Sequence, residues 1–223
     1  MIVHLLEYRV VPGHEAEVSG YLRHAALTAT PPDGLAVRFA GRRLSHKGRE
    51  HLAVTIWRDQ AAFGRGTDAK GLPAYLASKS SLLCDRASSR YRLVASTGLD
   101  REGGRVLRLF RTSVATEAVE SWERRVLEPV DRLAEVGGVL TVIAGVEAGV
   151  GEGRRARAAH VAVLTVWSAW PPLLAATGGH LDRSLMGTDL SDLERPGTAD
   201  HFELLEPELL TEDEVLLEAL GRT

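Results

Sequence analysis

A single cysteine, Cys84, leaves no partner for an intrachain disulfide, so the fold must rest on packing alone, and the chain fits a reducing compartment. Lysine is nearly missing: Lys47, Lys70 and Lys79 are the only ones among 27 basic residues. Aromatic residues make up 5% of the chain, and none is interleaved with a basic helix or stripe, which argues against a nucleic-acid partner. Long apolar runs are missing too. The N-terminal stretch MIVHLLEYRVVPG is interrupted by His4, Glu7 and Arg9 and has no basic region ahead of it, so neither a signal peptide nor a membrane span fits. These absences give the expectation of a soluble cytoplasmic protein without nucleic-acid or membrane partners. What is present is ordinary globular composition, 44% hydrophobic and 26% charged, in a chain of 223 residues that can bury a core without staples.

The strongest positive signal is internal repetition, which is best sought before any other pattern. HLAVTIWRDQAAF (51–63) returns as HVAVLTVWSAWPPL (160–173), GLAVRFAG (34–41) as GVLTVIAG (138–145), and RYRLVAS (90–96) as HFELLEP (201–207). Aligning LLEYRV (5–10) with LRLFRT (107–112) places Tyr8 over Phe110 and Arg9 over Arg111, and the offset then grows from 102 to 111 along the chain. Each match is rich in β-branched and aromatic residues bounded by turn formers, so each half carries four strands. A helical pattern separates the first two strands: Val18, Tyr21, Leu22 and Ala25 in one half, and Val119, Trp122, Val126, Val130 and Leu133 in the other, with Pro129 expected to kink or restart the helix. After each third strand comes a second helical region, 60–83 and 171–194, broken by glycines and Pro73 and therefore short or segmented.

The fold expected is α+β: two ferredoxin-like βαββαβ repeats, 1–97 and 105–207, joined by a polar linker at 98–104. A four-stranded sheet with helices on one face leaves its other face bare. Two such faces in one chain cover each other around a pseudo-two-fold axis, so the barrel closes internally and the chain is expected as a monomer with an internal pseudo-dimer, further homodimerisation being left open. In the tail, 208–223, Thr211 and Glu214 form a capping box ahead of an apolar run, which predicts a terminal helix.

The repeated strand ending in Trp and running into a helix (TIWRDQAAF, TVWSAWPPL), with final strands of the YRLV and FELL type, resembles the dimeric α+β barrel superfamily, in particular its antibiotic biosynthesis monooxygenase-like branch. That resemblance covers nearly the whole chain twice. It implies a protein that binds a small apolar or aromatic molecule, with cofactor-independent oxygenation as the leading activity. A non-catalytic ligand-binding or scaffolding barrel and a haem-binding or haem-degrading protein are the alternatives. No other cofactor and no metal site is expected.

Trp57 and Trp167 are the strand-end tryptophans that the resemblance places against a pocket, and either an apolar wall or a plain core contact suits them. Six residues on, where oxygenase-like members carry an aromatic hydroxyl, stand Phe63 and Leu173, which move no proton. His180, between Gly179 and Asp182, is the candidate base or haem ligand. His4 and Tyr8 share one face of the first strand, and Arg108 and Phe110 share the corresponding face of its repeat. If that face looks into the barrel, His4, Tyr8 and Arg108 converge on its interior. Two basic hairpins, with Arg42, Arg43, Lys47 and Arg49 in one and Arg154, Arg155 and Arg157 in the other, are read as solvated tips or as an anion-binding surface.

Overall fold

The computed structural model describes residues 1–28, 30–44, 49–101, 103–148, 157–205 and 208–209. The first half contains β1 (Ile2–Val10), α1 (Glu15–Thr28), β2 (Leu35–Arg43), β3 (Glu50–Trp57), α2 (Gln60–Gly66), a 3-10 segment (Ala74–Leu82) and β4 (Leu83–Thr97). The second contains β5 (Val106–Ala115), α3 (Val119–Arg125), α4 (Leu127–Ala134), β6 (Val139–Glu147), β7 (Ala158–Trp167), α5 (Trp170–Thr177) and β8 (Thr198–Leu204), with a two-residue β9 (Glu208–Leu209). The predicted terminal helix at 211–223 lies outside the described residues.

Every strand pairing is antiparallel, and the order β3-β1-β4-β6-β7-β5-β8-β2 closes through a β2–β3 pairing into an eight-stranded barrel. Two seams join the halves, β4 with β6 and β8 with β2. Each is passed by a glycine: a Cβ on Gly41 would stand 2.8 Å from the Cβ of Phe202, and one on Gly145 would stand 2.9 Å from the Cβ of Tyr91. Side chains one face inward, such as Val3, Leu5, Val54, Ile56, Leu109 and Leu164, fill the barrel. The alternate positions, including Leu6, Tyr8, Val161 and Trp167, meet the helices. Both faces of β1, β2, β3, β5, β6 and β7 are therefore largely buried, which explains why their sequences read as almost continuous apolar runs, whereas β4 and β8 are more exposed and more polar.

Pro129 acts as expected. Its ring cannot donate to the Arg125 carbonyl one turn back, and the helix breaks between Arg125 and Leu127. The linker is less exposed than its composition suggests, because Leu99 is buried with the barrel core. Register corrects one alignment. Ile2 lies opposite Trp57, and Val106 lies opposite Trp167, so the first strands correspond at an offset of 104 and Tyr8 matches Thr112, not Phe110. On the same offset His4 matches Arg108, and Glu7 matches Arg111.

Glu7 and Arg111 form an ion pair with each other across the pseudo-axis, and Arg111 also reaches Asp200 at 2.6 Å. These side chains are 15–28% exposed, so they are shielded from water enough for loss of one partner to matter. Arg111→Met is expected to cost about 1–3 kcal/mol in chemical denaturation, with part of that recovered when Glu7→Gln is added, because the second change removes the stranded charge. Equal stability of the single variant and the wild type would show that the pair is neutral in balance.

Candidate functional site

The face bearing His4, Tyr8 and Arg108 looks away from the barrel interior and onto the helices. His4 and Tyr8 lie in the helix–sheet layer of the first half, Arg108 and Phe110 in that of the second, so these residues occupy two separate layers and do not converge.

In the first layer a chain of small contacts ties the sheet together. Trp57 Nε1 donates to Thr55 Oγ1 at 2.9 Å, Thr55 Oγ1 lies 3.2 Å from His4 Nδ1, and His4 Nε2 lies 3.0 Å from Ser88 Oγ. A relay from Trp57 to Thr55 to His4 and on to Ser88 satisfies every member with a neutral imidazole. Burial, reinforced by the charge of Arg90, lowers the His4 pKa from 6.5 to about 4. Phe63 closes the group, its ring edge-on to His4 at 5.0 Å and to Trp57 at 6.2 Å. The second half repeats the indole contact, Trp167 Nε1 to Thr165 Oγ1 at 2.7 Å. Both tryptophans thus spend their only donor inside the protein and are fully buried.

Two positions along the same face the balance changes. Tyr8 is stacked on His51, with ring centroids 5.5 Å apart and planes at 12°. Tyr8 Oη, Tyr75 Oη and His51 Nε2 are all buried without a hydrogen-bond partner. Burial pushes the Tyr8 phenol well up, and the neighbouring Tyr75 adds to it; the Tyr75 phenol is raised by its own burial. His51 Nδ1 lies 3.1 Å from the Arg49 carbonyl, which can only accept. Nδ1 therefore carries the proton, and Nε2 presents a lone pair. Burial, the largest cause, and then Arg42 lower the His51 pKa, against opposing contributions from the Arg49 carbonyl and Glu15, so the ring is neutral at pH 7.

The floor beside this trio is low, since the cross-strand pair Ala40 and Ala53 offers two methyl groups where larger side chains would fill the layer. At the barrel end, β4 bulges opposite Tyr8, with Asp85 at φ 47°, and a cavity of about 280 Å³ there is lined by Glu7, Tyr8, Glu50, His51 and Phe202 among others.

The second half lacks this arrangement. By register Tyr8, His51 and Ala53 become Thr112, Val161 and Val163, and the Thr112 hydroxyl donates to the Arg195 carbonyl. Arg108 is buried there, with its guanidinium 5.4 Å from the Phe110 ring. His180 stands exposed on the loop after α5, flanked by exposed Gly178, Gly179 and Asp182, so it lacks the apolar walls that haem ligation requires. Among the described residues no group of three His, Cys, Asp or Glu side chains is arranged to hold a metal ion, and no helix is long and apolar enough to cross a membrane.

The basic hairpin of the first half is largely neutralised: Arg42 pairs with Glu203, Arg43 with Glu50 and Asp200, and Arg49 with Glu15. Lys47, Arg154 and Arg155 lie outside the described residues.

Sequence reading passed over His51 and Tyr75. His51 had a signal, since it alternates with Ala53, Thr55 and Trp57 and so shares the face of that tryptophan. Tyr75 had none, lying in a segment broken by glycine and proline.

No family model and no curated protein matches the sequence. Solved structures do match over the whole chain. Two, each named as a putative monooxygenase, come from Fusobacterium nucleatum (14% identity, 93% of this chain and 94% of that one, TM-score 0.70) and Lactobacillus acidophilus (10%, 94% and 96%, 0.68). A third is named an anthrone oxidase-like protein (10%, 95% and 94%, 0.61). At these identities the likeness is one of fold, and the chain has the tandem ferredoxin-like α+β barrel of monooxygenase-like structures.

Proposed function

We propose that the first half binds a small aromatic molecule bearing hydroxyl or carbonyl groups between its sheet and helices, and that it promotes oxygenation of that molecule by dioxygen. The observation that carries this reading is the trio of buried, unpartnered polar atoms, Tyr8 Oη, Tyr75 Oη and His51 Nε2, in a layer shared with Leu6, Ala40 and Ala53, where the Arg38 guanidinium lies 4.6 Å from the Tyr75 ring. Buried polar groups are nearly always paired, so three in one layer describe the hydrogen-bonding outline of a ligand.

The chemistry follows from the same atoms. His51 Nε2 takes a proton from an acidic C–H of the bound ring system, and the phenols of Tyr8 and Tyr75 donate to the oxygen on which the resulting charge is delocalised. The carbanion reduces dioxygen and combines with it to a hydroperoxide, and loss of water leaves a ketone. In sum a CH₂ group and O₂ give C=O and H₂O, with His51 returning its proton to the departing water. An anthrone has this acidic CH₂ between aromatic rings, and one structural neighbour is named for that substrate.

The test is oxygen uptake with a hydroxylated anthrone, without added metal or flavin. One O₂ consumed per anthrone, with appearance of the anthraquinone, is the expected result. Tyr8→Phe is expected to weaken binding about threefold to tenfold, the worth of one neutral hydrogen bond. Neither uptake nor binding across a panel of anthrones and quinols would sink the reading. Binding without uptake would leave a carrier.

A further inference from the structure

The two halves carry one polar pair in opposite order. In the first half His4 on β1 lies opposite Arg90 on β4, and in the second Arg108 on β5 lies opposite His201 on β8. The exchange puts a different group in the buried place. His4 is neutral and fully hydrogen-bonded there, and the Arg90 guanidinium is 5.7 Å from the Phe63 ring. Arg108 is a permanent cation at 1% exposure.

No carboxylate among the described residues comes within ion-pair distance of Arg108. Its Nη2 donates to the carbonyl of Arg183 and, at 3.4 Å, to that of Leu181, while Nε has no partner. Asp182, between those two carbonyls, is exposed; its charge is felt at Arg108 without forming a pair. His201 Nε2, on the neighbouring strand, is also buried and unpartnered. The ring of Trp170 lies 5.9 Å from that of His201, and the guanidinium is 5.4 Å from that of Phe110. A buried cation without a counter-charge is costly, and one unspent guanidinium N–H together with an unpartnered imidazole nitrogen, beside aromatic walls, indicates what completes it.

We infer that Arg108 and His201 form an oxyanion site in the second half, which takes the carboxylate of a small aromatic acid between Phe110 and Trp170, beneath the backbone of residues 181–183. Arg108 Nε–H and His201 Nε2–H each donate to one carboxylate oxygen, and the aromatic body of the ligand meets the two rings. The site differs in location and in ligand charge from that built on Tyr8 and His51.

Benzoate, titrated at pH 7 by calorimetry and by intrinsic tryptophan fluorescence, is the test. Saturable one-to-one binding is expected, about tenfold or more weaker in Arg108→Met and for neutral benzamide with the wild type, and weaker in His201→Phe. Tyr8→Phe is expected to leave benzoate binding unchanged, whatever the outcome of the anthrone experiment. The assignment is overturned if wild-type protein gives no response to millimolar benzoate, if benzamide binds as tightly, or if neither Arg108→Met nor His201→Phe weakens binding. Should Arg108→Met fail to fold by circular dichroism, the benzamide comparison and His201→Phe decide the matter alone.

Discussion

Exchanging His51 for asparagine is expected to lower anthrone oxidation by about two to four orders of magnitude while changing anthrone affinity by less than about tenfold. Asparagine can keep a side-chain N–H directed at the Arg49 carbonyl, so the hydrogen bond now made by Nδ1 is preserved, although the stacking on Tyr8 is not. What is lost is the Nε2 lone pair, the one feature of the site that accepts a proton from substrate. Because burial holds the His51 pKa below its ordinary 6.5, the wild-type rate should stay flat through neutral pH and fall only below that value. Measured rates within about threefold of wild type in the variant would remove His51 from the mechanism and leave at most a binding role.

The second large effect concerns stability in acid. His4 is neutral in the folded protein down to pH about 4, but in the unfolded chain it takes up a proton near 6.5. Above 6.5 neither state is protonated, and this residue adds no pH dependence. Below 6.5 the unfolded state binds the extra proton, so stability drains away as the pH falls towards 4, by about 3 kcal/mol in all. The structural cause is specific. A protonated ring would bury a charge in a closed layer near Arg90, and would leave the Thr55 hydroxyl proton without the Nδ1 acceptor it now has. His4→Gln should flatten denaturation midpoints between pH 6.5 and 5, a window above the titration of ordinary carboxylates. His51 and His201, whose pKa values are lowered as well, contribute the slope that remains. Parallel pH profiles for wild type and variant would contradict the relay.

The architecture was legible in the sequence because a repeat of eight strand-like segments leaves few ways to bury both faces. Details of register were not. Sliding the first strands by two residues keeps every side chain on its face, so apolar alternation cannot separate an offset of 102 from one of 104, and only the pairing of Ile2 with Trp57 and of Val106 with Trp167 decides it. A slip of one residue is different. His51 and His160 open two segments that look alike, but β7 has one more residue between histidine and tryptophan, so His160 falls on the opposite face from the equivalent of His51. The direction in which the His4 face looks was equally hidden, since both sides of the strand are covered and both read as apolar. His180 drew attention by its glycine neighbours, yet those same glycines hold it on an exposed loop.

The glycines at the two seams have a consequence for how such a chain changes over time. In an assembly of two identical subunits, any substitution at the crossing of Gly41 with Phe202 would be made at the other crossing as well, and both copies would have to tolerate it. Joining the halves covalently lifts that obligation. Among the described residues β2 pairs with β8 at three positions and with β9 at two, whereas β4 pairs with β6 at six, and the two layers differ in the same way, one holding an imidazole lone pair and the other a buried guanidinium. A fused barrel is free to be two half-proteins with different tasks.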